Sequence, residues 1–168
     1  MNSPLWTRLF RYNDWANTQL LDAAQHLSAD RLDRPFEMGV GSLRRSLIHI
    51  YNGEHVWLER WKQRPALWPS ESDPTPVAEL RTRFAANARE RDAFLAALSG
   101  DAAEREQVYR DSKGSLFRAP LVDMILQGYN HSTHHRAQAV NMLRQLGAGV
   151  VELDYMMSLR QPAPETAT

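Results

Sequence analysis

Apolar residues recur every three or four positions along four long stretches of this chain, and segments rich in proline, glycine and polar residues separate them. That period marks helices with one face turned to a core. The first stripe is Leu5, Leu9, Tyr12, Ala16, Leu20 and Ala24, widened by Trp6, Phe10 and Leu21. It predicts a helix from about Pro4 to His26, with Ser3 as N-cap and Pro4 at the first helical position. The polar connection Ser28 to Val40 carries Pro35, which blocks continuation. Ser42 then caps a second helix with Leu43, Leu47, Ile50, Trp57, Leu58 and Trp61 as its stripe, ending near Lys62. Gln63 to Pro76 holds Pro65, Pro69, Pro74 and Pro76 and reads as a loop. Thr75-Pro76 opens a third helix to about Leu98, with Val77, Leu80, Phe84, Ala85, Phe94 and Leu98 inward and a dense charged face in solvent.

Gln107 to Arg118 has a turn centre between short apolar runs and predicts a short hairpin or an extended excursion. Ala119-Pro120 opens a fourth helix, which Gly147-Ala148-Gly149 stops. Val150 to Arg160 reads as a packing segment and 161–168 as a frayed tail. Together these predict an all-α fold: one four-helix-bundle domain over residues 1–160, with a hairpin between its third and fourth helices.

Composition removes several function classes. The 20 basic and 20 acidic residues cancel, so no field draws the chain to nucleic acid or an anionic membrane. No apolar run of about 18 residues is present, and the N-terminus lacks a signal-peptide core. The absence of cysteine excludes disulfides, thiolate metal sites and a cysteine nucleophile, and fits a cytoplasmic protein.

Half of the six histidines lie in the fourth helix, at His131, His134 and His135. With His131 set at zero on a helical wheel, His135 falls at about +40°, among Leu121, Met124, Gly128, Met142 and Leu146. His134 falls at about −60°, on the polar flank with Asn130, Asn141 and Gln145. The inward pair is therefore His131 with His135. Two imidazoles one turn apart on an apolar face are awkward unless something joins them, and a metal ion does so. Gln138, at about −20°, or Asn130 is placed to orient a ligand imidazole. Taken alone, His49 reads as a hydrogen-bonded core histidine. Beside the pair it is the candidate third ligand, and Gly53 on its face lets something approach the backbone beside it. His26 and His55 read as structural or solvated. Glu54 is a weak candidate for a general base.

Other metal and nucleophile motifs do not fit. A zinc-protease motif needs glutamate where Ser132 stands, and a di-iron bundle needs Glu-x-x-His on two helices. No glycine-rich phosphate loop or Gly-x-Ser-x-Gly elbow is present.

The chain resembles the DinB-like (DinB/YfiT) family of metal-dependent enzymes. The resemblance rests on Tyr12-Asn13-Asp14-Trp15-Ala16-Asn17, Gly41-Ser42-Leu43, Leu47-Ile48-His49-Ile50, Glu54-His55-Val56-Trp57, His131-Ser132-Thr133-His134-His135-Arg136-Ala137-Gln138, Leu143-Arg144-Gln145-Leu146-Gly147 and Leu153-Asp154-Tyr155. It implies an up-down-down-up bundle and a divalent metal, zinc or nickel, on His49, His131 and His135. It also implies a homodimer and, in some relatives, transfer reactions that use a low-molecular-weight thiol. Two functions follow as expectations. One is a metal-dependent transferase or hydrolase that activates a thiol or water for a small-molecule substrate. The other is a non-enzymatic metal- or ligand-binding dimeric bundle.

Overall fold

The computed structural model describes residues 5–149 and 152–162. The long helices are α1 (Leu5–Ala24), α3 (Leu43–Trp61), α4 (Val77–Ala97) and α6 (Leu121–Gln145). Short helices α2 (Ala29–Leu32) and α5 (Gly100–Ala103) sit in the connections, and a 3-10 turn spans Tyr155–Ser158. The expected cap at Ser3-Pro4, the start of the packing segment at Val150 and the tail from 163 lie outside the described residues.

Two apolar clusters fix the helix directions. One gathers Leu20 and Ala24 of α1, Leu43 and Leu47 of α3, Leu80 of α4, and Met142 and Leu143 of α6. The other gathers Phe10, Trp57, Leu58, Trp61, Leu95, Leu121, Met124 and Ile125. Each helix therefore has one end in each cluster, and the directions are up, down, down, up. Around the bundle, α6 lies between α1 and α3, and α4 lies between them on the other side.

A buried polar layer separates the clusters. Glu54, 5% exposed, accepts hydrogen bonds from Asn13 Nδ2 and Asn17 Nδ2 at 2.7 Å and from Ser132 Oγ at 3.0 Å. Arg136 donates to Asn13 and Asn17, and Arg91 forms a two-pronged pair with Asp14 at 2.9 and 2.6 Å. A layer this polar survives burial because each charged group has several partners.

Because α3 and α4 run in parallel, residues 62–76 must return along the length of the bundle. Gln63 at the end of α3 adopts φ 54°, and Arg64 N–H bonds to Glu59 O at 2.9 Å. This left-handed cap turns the chain back toward the start of α3. Asn52 Nδ2 then holds Pro69 O at 3.3 Å, and Arg44 Nη1 holds Thr75 O at 3.1 Å. The returning segment is thus a strap fastened across α3.

The hairpin is present as β1 (Glu106–Arg110) and β2 (Leu116–Pro120), antiparallel with Val108 opposite Arg118. Asp111 Oδ1 accepts from the backbone of Lys113 and Ser115 and shapes its turn. Tyr109 packs on Trp57 of α3 with ring centroids 5.4 Å apart, which seats the hairpin beside the strap. After α6, the 3-10 segment returns to α1, where Tyr12 donates to Leu153 O and lies 5.4 Å from Tyr155.

Candidate metal centre

His49 projects from α3, and His131 and His135 project from α6. One ring nitrogen from each lies within 4.8 Å of the others. The ring centroids are 5.0 Å apart for His49 and His131, 4.2 Å for His49 and His135, and 4.6 Å for His131 and His135. All three side chains are half-buried.

The convergence depends on a close approach of α3 and α6. A Cβ on Gly53 would run into the His131 imidazole, so the missing side chain is the space that ring occupies. What comes near the α3 backbone beside His49 is thus His131 itself. Gly39, at φ 53°, leaves room in the same way for Gln138, whose Oε1 would lie 2.5 Å from a Cβ there.

Two of the rings are oriented from behind. His49 Nδ1 donates to Glu71 Oε1 at 2.6 Å, and Trp68 Nε1 donates to the same oxygen at 2.7 Å. His135 Nδ1 donates to Gln138 Oε1 at 2.9 Å. Each bond commits Nδ1 as a donor and leaves Nε2 with a free lone pair. Burial alone would raise the Glu71 carboxyl, but the hydrogen bonds from His49 and Trp68 outweigh it and hold its pKa below the usual range.

His131 differs. Its Nδ1 is buried with no hydrogen-bond partner among the described residues. Burial, and then the neighbouring imidazoles of His135 and His49, push its pKa down to about 3. Burial lowers His135 as well, against the opposing bond from Gln138. Neutral imidazoles with directed lone pairs are the form a divalent ion takes. The donor set and the orphaned nitrogen both fit such an ion.

Three expectations about this region are corrected. The pair His131 and His135 does not face the bundle interior. The buried side of α6 runs from Met124 and Met142 through Leu121, Gly128 and Ala139 to Ile125, Ser132, Arg136 and Leu143, and the two half-buried histidines stand toward one edge of it, facing α3 and the strap. Asn130 is exposed, so Gln138 alone of the two candidates holds one of the three imidazoles. Glu54 lies about 140° round α3 from His49 and is bound in the polar layer, so it is not placed to act as a general base.

A cleft of about 620 Å³ opens beside the histidines, lined by His49, Trp57, Arg60, Trp68, Met124 and Gln127 among others. The DinB family model matches residues 1–166 of the sequence.

The chain belongs to the DinB family. Protein DinB of Bacillus subtilis (strain 168) is 23% identical over 170 residues, covering 95% of this chain and 96% of that protein. A crystal structure of a DinB-like protein from Bacillus cereus superposes with a TM-score of 0.70 at 19% identity, covering 90% of this chain and 99% of the other. The fold of this DinB-family chain is therefore shared with a solved structure.

Sequence reasoning reaches His49, His131, His135 and Gln138 but misses Glu71 and Trp68. Both lie on the strap, and the signal that finds them is topological. A proline-rich connection between parallel helices must cross the face it spans, so its polar and aromatic residues are carried over that face. His134 is exposed, as the wheel predicts, and meets Gln138 Nε2 at 3.1 Å. His55 stacks on Tyr51, and exposed His26 bonds to Gln25.

Proposed function

We propose that this DinB-family chain is a metal-dependent enzyme in which His49, His131 and His135 hold one divalent ion, zinc or nickel. The observation that carries the reading is the convergence of three imidazoles, one of which, His49, lines a cleft. A bound ion of this kind lowers the pKa of water or a thiol and supplies a nucleophile near neutral pH. Glu71 fixes the tautomer of His49 and makes it a stronger donor, and Gln138 does the same for His135. Trp68 covers His49, with ring centroids 4.9 Å apart, and sheds water from that side.

The reaction class we propose is transfer to or from a low-molecular-weight thiol, with hydrolysis of a small substrate as the variant. A non-enzymatic metal carrier or sensor is the competing role, and it has no need of a cleft beside the ion. We further propose a cytoplasmic homodimer. No helix among the described residues is long and apolar enough to cross a membrane.

The test is to purify the protein without a polyhistidine tag and measure bound metal. Wild type is expected to carry about one ion per chain, and His131→Ala to lose it. Undiminished metal in the mutant would sink the assignment. The metal-loaded protein is then offered an electrophile with a panel of thiols. Turnover abolished by His49→Ala supports the enzyme, and no turnover with any thiol or ester favours the binding role.

A further inference from the structure

The cleft beside the histidines runs on along α3, between the strap and the hairpin, and Arg60 stands on its wall. Arg60 follows His49 by eleven positions, which places it about 20° round the helix and about 16 Å along it. The two residues therefore share a face and a cavity.

Arg60 is 8% exposed, and its Nε is buried with no hydrogen-bond partner among the described residues. Its guanidinium lies 4.6 Å from the Trp57 ring and 5.6 Å from the Tyr109 ring. Asp111, on the same wall, acts on it through space, while burial pulls its pKa down. The two rings offset part of the cost of burying a cation and fix the plane of the fork. They accept none of its in-plane N–H groups. A flat, immobilised, unpaired guanidinium facing a cleft matches a carboxylate, which it can bind through two parallel hydrogen bonds.

We infer that Arg60 anchors a carboxylate on the ligand of this cleft, an elongated molecule whose other end lies at His49, His131 and His135. Side chains on a helix lean toward its N-terminus, and His49 leans the same way, so the longer Arg60 side chain shortens the span between the two ends only in part. Trp57, Trp68 and Met124 line the cleft and suit an apolar middle section. The Arg60 end stands on its own, and the far end rests on the metal-centre reading.

The probes are ω-mercaptoalkanoic acids of increasing length, with the matching ω-mercapto alcohols as uncharged controls. Binding is read from tryptophan fluorescence, because Trp57 lies against Arg60. In metal-free wild type, the acids are expected to bind at least about tenfold tighter than the alcohols, the worth of a charge-assisted hydrogen bond. Arg60→Gln should abolish that preference, and Arg60→Lys should keep part of it. Adding zinc should tighten binding of chains long enough to span the two ends, and His131→Ala should remove that zinc increment while leaving the acid preference. Equal affinity of acids and alcohols for wild type overturns the proposal, whether or not the Arg60 variants fold. A preserved acid preference without any zinc increment upholds Arg60 and refutes only the metal-centre reading.

Discussion

Gly53→Ala separates the helix from the site it serves. In an ordinary helix interior this change gains about 1 kcal/mol, because alanine is the better helix former. Here the new methyl group meets the Cε1–Nδ1 edge of His131. That ring sits against the α3 backbone, which cannot withdraw without disturbing the neighbouring bonds of Asn52 and Glu54. The ring must therefore turn away, and overpacking costs about 1–3 kcal/mol. The first term offsets part of the second in the metal-free protein, so its stability should fall by no more than about 2 kcal/mol.

The metal-bound protein should respond very differently. Losing one of three ligands weakens binding by at least about a hundredfold, and that factor removes about 2.7 kcal/mol of metal-dependent stabilisation. The assay is denaturant unfolding with zinc and with chelator, for wild type, Gly53→Ala, His131→Ala and the double mutant. In the His131→Ala background the clash is gone, so Gly53→Ala should now stabilise by about 1 kcal/mol. A Gly53→Ala protein with the wild-type response to zinc would refute the placement of His131. So would a double mutant less stable than His131→Ala.

Three further outcomes are expected. Removing Glu71 as Glu71→Ala should weaken metal binding about 10–100-fold, measured by chelator competition, with Glu71→Gln milder because the amide oxygen still accepts from His49. Glu54→Ala should leave metal stoichiometry intact but destabilise the fold by about 3–5 kcal/mol in denaturant melts, since Arg91, Asn13, Asn17 and Ser132 lose a shared acceptor. Acid should destabilise the metal-free protein: the His131 pKa is depressed to about 3 in the folded chain, so unfolding takes up a proton from about pH 6.5 downward. Stability then falls as pH drops through that window, by up to about 1.4 kcal/mol per pH unit, and the difference between wild type and His131→Ala across pH 7.5 to 5 isolates the effect.

The long helices and the hairpin are legible because burial repeats with the backbone period. Ser42 caps α3 by accepting from Arg45 N at 3.3 Å, and the glycine turn ends α6 through the Ala148–Leu143 bond at 3.0 Å. Periodicity fails where polar residues take core positions. Asn13, Asn17, Ser132 and Arg136 are buried, yet each reads as surface in a hydrophobic stripe. Leaving Ser132 and Arg136 out of the inward arc of α6 rotates that arc toward the histidines and makes an edge look like a centre. Leu5, at 66% exposed, is the opposite error, an apolar residue in the stripe that nothing among the described residues covers. The strap was legible as a loop, but its cargo was not, because Trp68 and Glu71 act through tertiary placement alone.

Glycines supply the part of the site that a search for ligands overlooks. Gly53 on α3 gives its space to His131 of α6, and Gly128 on α6 gives its space to Trp61 of α3, where a Cβ would meet Cζ2 at 2.8 Å. The exchange is reciprocal, and each glycine lies opposite a large side chain of the other helix. Sliding α6 by one turn, about 5.4 Å, would bring side chains against both rings at once. Trp61 adds a directional lock by donating from Nε1 to Met124 O at 3.1 Å. The register of α3 on α6 is thus set by two voids and one hydrogen bond, and that register brings His49 level with His131 and His135. Gly53 costs about 1 kcal/mol of helix propensity, and the three histidines converge only because its side chain is missing.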